Sequence, residues 1–207
     1  HEINKLAARL SEYAGEEITR ACLNIKEKSA NDNALIIYEL TNRPQAEQIF
    51  LEELGAEKEV SYYEDGANTR IPVYKTRFKG FAEVMVPGFA PGFDDSYFSF
   101  YDNFMITGSS YATISELLYN NILNKTLTND VTYRDFESTL PSRAGYFFYC
   151  VPSKIIDYLG GFLNDDIVKC LKSNNNSIYK IQAIGCQLAS SNKMIYNSLS
   201  IKFSESA

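Results

Sequence analysis

Two runs of residues with strand-like alternation, 96–101 and 104–108, are separated only by Asp102 and Asn103. A connection of two residues joins adjacent antiparallel strands, so this spacing predicts a β-hairpin. Comparable pairs of runs occur twice more, at 17–26 with 34–40 and at 178–188 with 194–203. Apolar residues at helical spacing lie between such runs or precede them, for example at 3–13. This order predicts an α+β fold, in which helices pack on one face of an antiparallel sheet of hairpins.

Four further segments carry specific structural predictions. Residues 81–86 have the spacing of a strand, and a loop with two Pro-Gly pairs follows them. Residues 145–151 are apolar at successive positions, which predicts a central strand that is buried on both faces. Thr113 and Glu116 have the spacing of a capping box at a helix start. Asn164, followed by two aspartates, predicts the start of another helix.

The first and last hairpins resemble each other. Residues 18–40 and 181–203 have equal length, and apolar positions of both strands coincide when the two segments are superposed without gaps. Each hairpin also follows a predicted helix. The similarity predicts either a duplicated helix-hairpin unit or a coincidence of two common patterns. We therefore expect a single α+β domain over residues 1–207, with two related halves, 1–95 and 96–207, if the duplication holds.

The histidine content limits the chemistry that this chain can perform. Its one histidine is His1, at the start of the sequence. A Ser-His-Asp triad, a Cys-His pair and a histidine zinc site each need an imidazole held firmly in place. Gly108-Ser109-Ser110 resembles the start of a nucleophile elbow, but no internal histidine could activate either serine, so helix capping is the preferred interpretation. We predict no catalytic residue, and we expect the protein to bind a partner rather than to convert a substrate.

Composition also bears on cofactors and partners. The net charge is −6 and the isoelectric point is about 4.9, which disfavours nucleic acid and anionic lipid as partners. No apolar stretch approaches the roughly 20 residues of a membrane-spanning helix, so no membrane-spanning segment is predicted. The four cysteines contain no CxxC pair, and no phosphate-binding glycine motif occurs. The sequence therefore predicts neither a metal nor a cofactor.

The densest cluster of aromatic residues lies around the two Pro-Gly pairs. Phe89 and Phe93 belong to that loop, an aromatic strand follows it, and 15 tyrosines and 13 phenylalanines stand in the chain as a whole. One interpretation is that these rings fill the core. The other is an exposed aromatic surface that binds a protein or a glycan, which Tyr62 and Tyr63 would extend. Asp94 and Asp95, placed between the loop and the strand, are the candidates for binding a cation or a substrate hydroxyl.

Two segments of the sequence are similar to a known family. They are Tyr101–Ser110, with the helix after it and Asn124–Asn129, and Lys180–Ser191 with its returning strand. They resemble parts of a large family of secreted or envelope-anchored proteins from gut anaerobes of the Bacteroides type. The resemblance covers roughly residues 96–203 and implies a periplasmic or cell-surface location. Those proteins are several times longer, so it also implies that this chain is a fragment of a longer parent chain. The family has no established activity, so the resemblance implies no functional residue.

Three hypotheses on function follow. The preferred one is a non-enzymatic binding or structural module of the cell envelope, whose surface includes Phe89 and Phe93. The second is a carboxylate-dependent hydrolase that uses Asp94 or Asp95. The third is a scaffold segment of a longer protein without a site of its own, which predicts an exposed strand edge or apolar patch where the remainder of the parent chain docks.

Overall fold

The protein is described by a computed structural model, and the described part of the chain comprises residues 2–23, 33–54, 57–64, 70–76, 79–141, 144–159 and 163–204. Contacts between residues divide the chain into two compact units, of which the first ends at Leu123 and the second begins at Asn124. Both units contain helices and antiparallel strands, which confirms the α+β class. None of the described helices has the length and apolarity needed to cross a membrane.

The first unit is built around a six-stranded antiparallel sheet. Its elements are α1 (Glu2–Ser11), β1 (Ala14–Cys22), β2 (Ala34–Leu40), α2 (Arg43–Leu54), β3 (Glu57–Glu64), β4 (Arg70–Lys75), α3 (Phe81–Met85), β5 (Tyr97–Tyr101), β6 (Phe104–Gly108) and α4 (Tyr111–Ile122). The strand order is β1-β2-β6-β5-β4-β3. The hairpin predicted around Asp102 and Asn103 is confirmed, with Tyr101 opposite Phe104.

Helices cover both faces of this sheet, whereas the sequence led us to expect them on one. Successive residues of a strand point to opposite faces, so Ile36 of β2 faces one side and Leu35 the other. Ile36 packs in a core formed with α1, α2 and α3, where Phe50 lies 4.3 Å from Phe98 between ring centroids. Leu35 packs in a second core with Ile114 and other residues of α4. The continuous apolar run of β2 is explained by this burial on both faces.

The prediction of a strand at 81–86 is wrong, because this segment forms the short helix α3. Gly80 precedes the helix in a left-handed conformation, with φ of 84°, which glycine adopts without the steric cost that a Cβ imposes. Phe81 and Ala82 are then directed into the core beside Phe50. A segment of five residues satisfies strand and helix periodicity almost equally well, so its tertiary contacts determine its conformation.

Two predicted helix starts have different outcomes. Helix α4 begins two residues before Thr113, and the Ser110 hydroxyl caps it by accepting a hydrogen bond of 3.2 Å from the Thr113 amide. The predicted capping box of Thr113 and Glu116 is therefore wrong, whereas capping by Ser110 is confirmed. The start predicted at Asn164 is also confirmed, because its side chain accepts a hydrogen bond of 2.9 Å from the amide of Asp166.

The second unit contains a three-stranded antiparallel sheet. Its elements are a 3₁₀ turn (Leu127–Asn129), α5 (Val131–Glu137), β7 (Tyr146–Cys150), α6 (Pro152–Leu159), α7 (Asp165–Ser173), α8 (Asn175–Ile178), β8 (Ile181–Ser191) and β9 (Met194–Phe203). The strand order is β7-β8-β9, so β7 is an edge strand and its prediction as a central strand is wrong. Asn192 and Lys193 connect β8 to β9 with φ of 51° and 64°, the two positive values of a type I′ hairpin turn.

The predicted halves, 1–95 and 96–207, do not match the observed division. Strands β5 and β6 lie inside the six-stranded sheet, between β2 and β4, so they belong with the residues before them. The register of the two hairpins also differs. Ile18 pairs with Tyr38, but the superposed positions do not pair with each other, since Ile181 pairs with Phe203. The register thus gives no support to the duplication, which stays a prediction.

Candidate functional site

Asp95 is buried and serves as a cap for α3. It is 1% exposed, and its two carboxylate oxygens accept hydrogen bonds from the backbone amides of Gly80 and Ala82, at 2.8 and 2.7 Å. Burial raises the pKa of Asp95, while these hydrogen bonds oppose that rise. The carboxylate thus satisfies amides that the helix leaves without an internal partner. This arrangement gives Asp95 a structural role.

Asp94 lies at the surface next to Asp95 in the sequence but in a different environment. Its carboxylate accepts hydrogen bonds from the Ser96 hydroxyl and, at 3.3 Å, from the Lys79 ammonium group. Partial desolvation would raise the pKa of Asp94, but the two hydrogen bonds and the charge of Lys79 outweigh it and lower the pKa. The two aspartates therefore do not form a pair of carboxylates that share one cleft.

The loop phenylalanines do not form the predicted exposed aromatic surface. Phe93 is 6% exposed and belongs to the core on the α1–α3 side of the sheet, so its prediction as a surface residue is wrong. Phe89 is half-buried and packs against the same core. Positive φ angles at Gly88 and Gly92 turn the loop back, which brings both rings toward the sheet. The interpretation of these rings as core residues describes Phe93 correctly.

Tyr62 and Tyr63 do not extend one surface together, because they are successive residues of β3 and point to opposite faces of the sheet. Tyr62 is exposed, and the guanidinium carbon of Arg70 lies 4.1 Å from its ring centroid. Tyr63 instead packs on the α4 side, with its ring centroid 6.5 Å from that of Tyr119. Tyr62 remains accessible to a partner, as one ring in a cation–π pair.

Among the described residues, the most unusual surface lies in the second unit. One face of the three-stranded sheet carries seven large apolar side chains that are between 38% and 78% exposed. They are Tyr146, Phe148, Leu188, Ile195, Leu199, Ile201 and Phe203, and we call this surface the apolar face. The register places Phe148 opposite Cys186, and Cys186 opposite Leu199, so one row crosses the sheet. No charged residue occupies a strand position on this face.

Helix α5 packs on the middle of the opposite face of the same sheet. Phe136 of α5 packs directly over Gly185, and its ring centroid lies 5.6 Å from that of Tyr149. The Lys202 ammonium group lies 3.2 Å from the Asp135 carboxylate on this covered side. The exposed face of an antiparallel sheet is ordinarily polar. Here the exposed face is apolar, which is typical of a surface that contacts another molecule.

Sequence reasoning missed this surface, although a signal for it was present. Residues 195–203 carry apolar side chains at most alternate positions, and the residues paired with them on β8 are uncharged. We interpreted the aromatic run at 145–151 as a strand buried on both faces. That interpretation required a strand on each side of β7, and only the sheet order shows that β8 alone pairs with it.

The site must be interpreted from its own geometry, since no family model, curated protein or solved structure matches the chain. Within the described residues no group of three or more histidine, cysteine, aspartate or glutamate side chains could hold a metal ion. All four cysteines are free thiols, and Cys186 on the apolar face is half-buried. Of the surfaces described above, the apolar face has the clearest character of a contact surface.

Proposed function

We propose that the protein is a non-enzymatic binding module, and that the apolar face is its contact surface for a protein with an uncharged apolar surface of its own. The exposed side chains of the apolar face carry this proposal. Their exposed area is about 700 Å², taking about 150–250 Å² for each large side chain, and a typical monomer rarely exposes an apolar patch of this size. Water contact with such an area is unfavourable, so covering it provides a driving force for association.

A protein partner is favoured over a glycan by the polar groups of the apolar face. Sugar sites combine aromatic rings with several converging hydrogen-bonding groups, because a sugar must exchange its bonds with water for bonds with the protein. On the apolar face the polar groups are the hydroxyls of Tyr146 and Ser190, the amide of Asn197 and the thiol of Cys186, spread over three strands. Protein interfaces, by contrast, have an apolar centre from which charged residues are depleted.

The carboxylate hydrolase is not favoured by any contact in the described residues. Asp95 is committed to the amides of Gly80 and Ala82, and Asp94 to Lys79 and Ser96. A general acid and base would have to reach a substrate from a shared cleft. The exposed apolar surface is also what the third hypothesis, a scaffold segment without a site of its own, leads us to expect, so the two hypotheses differ in what covers this surface.

The resemblance to envelope proteins leads us to propose a cellular location as well, in the periplasm or at the cell surface. A module of a longer chain in the periplasm or at the cell surface would meet its partners there. Cell fractionation followed by immunoblotting tests the location, and recovery in the cytosolic fraction alone would exclude it.

Binding of an apolar fluorescent dye such as ANS tests whether the apolar face is open in solution. We expect dilute protein to enhance the dye fluorescence, and Leu199→Lys to reduce the enhancement because it places a charge within the face. Met194→Lys is the matched control, since Met194 is an exposed apolar residue on the same strand but on the opposite face. Equal fluorescence from the parent protein and Leu199→Lys would contradict the proposal, provided that circular dichroism shows both to be folded.

A further inference from the structure

We infer that the partner of the apolar face is a second copy of this chain, which packs its own apolar face against the first about a two-fold axis. The inference rests on the proposed function and specifies the partner of the same surface. The occupant must offer an uncharged apolar sheet or helix of similar extent, and the protein's own apolar face meets this requirement. In a two-fold interface the same surface serves both partners, so association closes at the dimer.

The area of the apolar face agrees with what a stable dimer requires. The exposed large apolar side chains amount to about 700 Å², and a specific interface of standard size buries about 800 Å² on each partner. Neighbouring polar residues such as Asn197 and Ser190 would supply the remaining buried area. The face is therefore large enough to be the centre of a complete interface.

The profile of the apolar face also suits a copy of itself. Cys186 of the central strand β8 is half-buried, whereas its paired neighbours, Phe148 on one side and Leu199 on the other, are more exposed. At this level of the sheet a lower position thus lies between two higher ones. Aligned sheets pack with their side chains interdigitated about 10 Å apart, so a higher side chain of one copy can enter the lower position of the other.

Packing face to face is favoured over pairing at the strand edge. Strand β9 is an edge of ten residues without proline, and its one charged side chain, Lys202, is paired with Asp135 on the covered side. Such an edge could pair with its own copy. Edge pairing, however, would leave both apolar faces in water and form one continuous exposed sheet. Face-to-face packing removes both faces from water, and therefore gains more from the hydrophobic effect.

Sedimentation velocity over a range of protein concentrations tests the inference on the full chain. We expect a reversible equilibrium between monomer and dimer. Leu199→Lys should raise the dissociation constant by roughly a hundredfold or more, because the interface would bury an unpaired charge. Met194→Lys, which places the same charge on the other side of the strand, should leave the constant within about threefold of the parent value, because this exposed residue lies outside the interface.

Thiol labelling of Cys186 provides a second measurement that reports on the face itself. Cys186 lies in the central row of the apolar face, and Cys170 on α7 is exposed and serves as the internal control. When about nine-tenths of the chains are paired, the labelling rate of Cys186 relative to Cys170 should fall about tenfold, since only unpaired chains react. Mass spectrometry of the labelled peptides distinguishes the two thiols.

The outcomes separate this inference from the proposed function. A chain that stays monomeric at its highest soluble concentration, with Cys186 reactive and dye bound, would overturn the inference and leave the face for a different protein. A monomer that neither binds dye nor reacts at Cys186 would overturn both, because the face would be covered within the chain. Equal dimerisation of the parent protein and Leu199→Lys would also overturn the inference.

Discussion

Asp95 uses both oxygens of its carboxylate within the protein. Its neighbours Asp94 and Ser96 lie in one continuous segment with it, but the amides that it accepts from belong to Gly80 and Ala82, on the other side of a loop. A carboxylate following a glycine-rich loop suggests a binding residue when only the sequence is read. The tertiary contact shows that both carboxylate oxygens already accept hydrogen bonds within the protein. Because Asp95 is also buried, a ligand cannot reach it.

Removing the carboxylate of Asp95 should destabilise the first unit. Asp95→Ala leaves the two amides without acceptors in a region shielded from water, and we expect a loss of about 1–3 kcal/mol in the free energy of unfolding. Hydrogen exchange at the buried amides of β2 measures this loss. Asp94→Ala is the matched control and should cost less, about 1 kcal/mol, because it removes an exposed ion pair with Lys79 and a single hydrogen bond from the Ser96 hydroxyl. Equal losses for the two variants would contradict the assigned role.

Leu199 and Met194 show how the position of a residue within one strand determines its role. Both are apolar and more than half exposed, so burial alone does not distinguish them. The pairing of Leu199 with Cys186 places it on the apolar face, whereas the pairing of Met194 with Ser191 places it on the other face. The two residues are alike in chemical type and exposure, and only the strand register shows that they lie on opposite faces of the sheet.

Strand β8 and helix α5 meet where glycine allows a close approach. A Cβ placed on Gly185 would lie 2.5 Å from two ring carbons of Phe136. Phe136 is buried and also packs on Tyr149, so it cannot move without disturbing its neighbours. This contact covers the middle of one face of the sheet, where Gly185 is buried, and the larger exposed apolar area lies on the other side, the apolar face.

Replacement of Gly185 by alanine should therefore separate β8 from α5. We expect Gly185→Ala to lower the free energy of unfolding of the second unit by about 1–3 kcal/mol, the usual cost of overpacking a core. Hydrogen exchange at β8 measures the change. Gly145→Ala is the matched control and should change the stability by less than about 0.5 kcal/mol, because the nearest atom, the Leu188 carbonyl oxygen, would lie at an ordinary 3.7 Å. A loss at Gly145 as large as that at Gly185 would show that the Phe136 contact is not the cause.

At the scale of the whole molecule, the charge and the apolar face act in opposite directions. Each chain carries a net charge of −6, so two copies repel each other, while the proposed interface contains no charged strand residue. Salt shortens the range of the repulsion, from about 10 Å at 0.1 M to about 3 Å at 1 M. It does not weaken an apolar contact.

Association should accordingly be unchanged or a few-fold tighter in 1 M than in 0.1 M sodium chloride. Sedimentation equilibrium at the two salt concentrations provides the measurement. A dissociation constant that rises tenfold with salt would show that ion pairs hold the copies together, and the apolar face would then not be the main contact. Leu199→Lys, measured in parallel, separates effects of the face from general effects of salt on solubility.

The sequence by itself determined the α+β class and the hairpins, because strand alternation and short turns such as the two residues after Tyr101 act over a few residues. It did not determine the sheet order, the conformation of the segment from Phe81 to Met85, or the partners of Asp95. Those features depend on contacts between residues far apart in the chain, and local periodicity carries no information on them. The candidate site follows the same division. The apolar residues of β9 can be read from the sequence, but whether a face of that strand is covered or open is decided by where α5 packs, and this is a property of the tertiary structure alone.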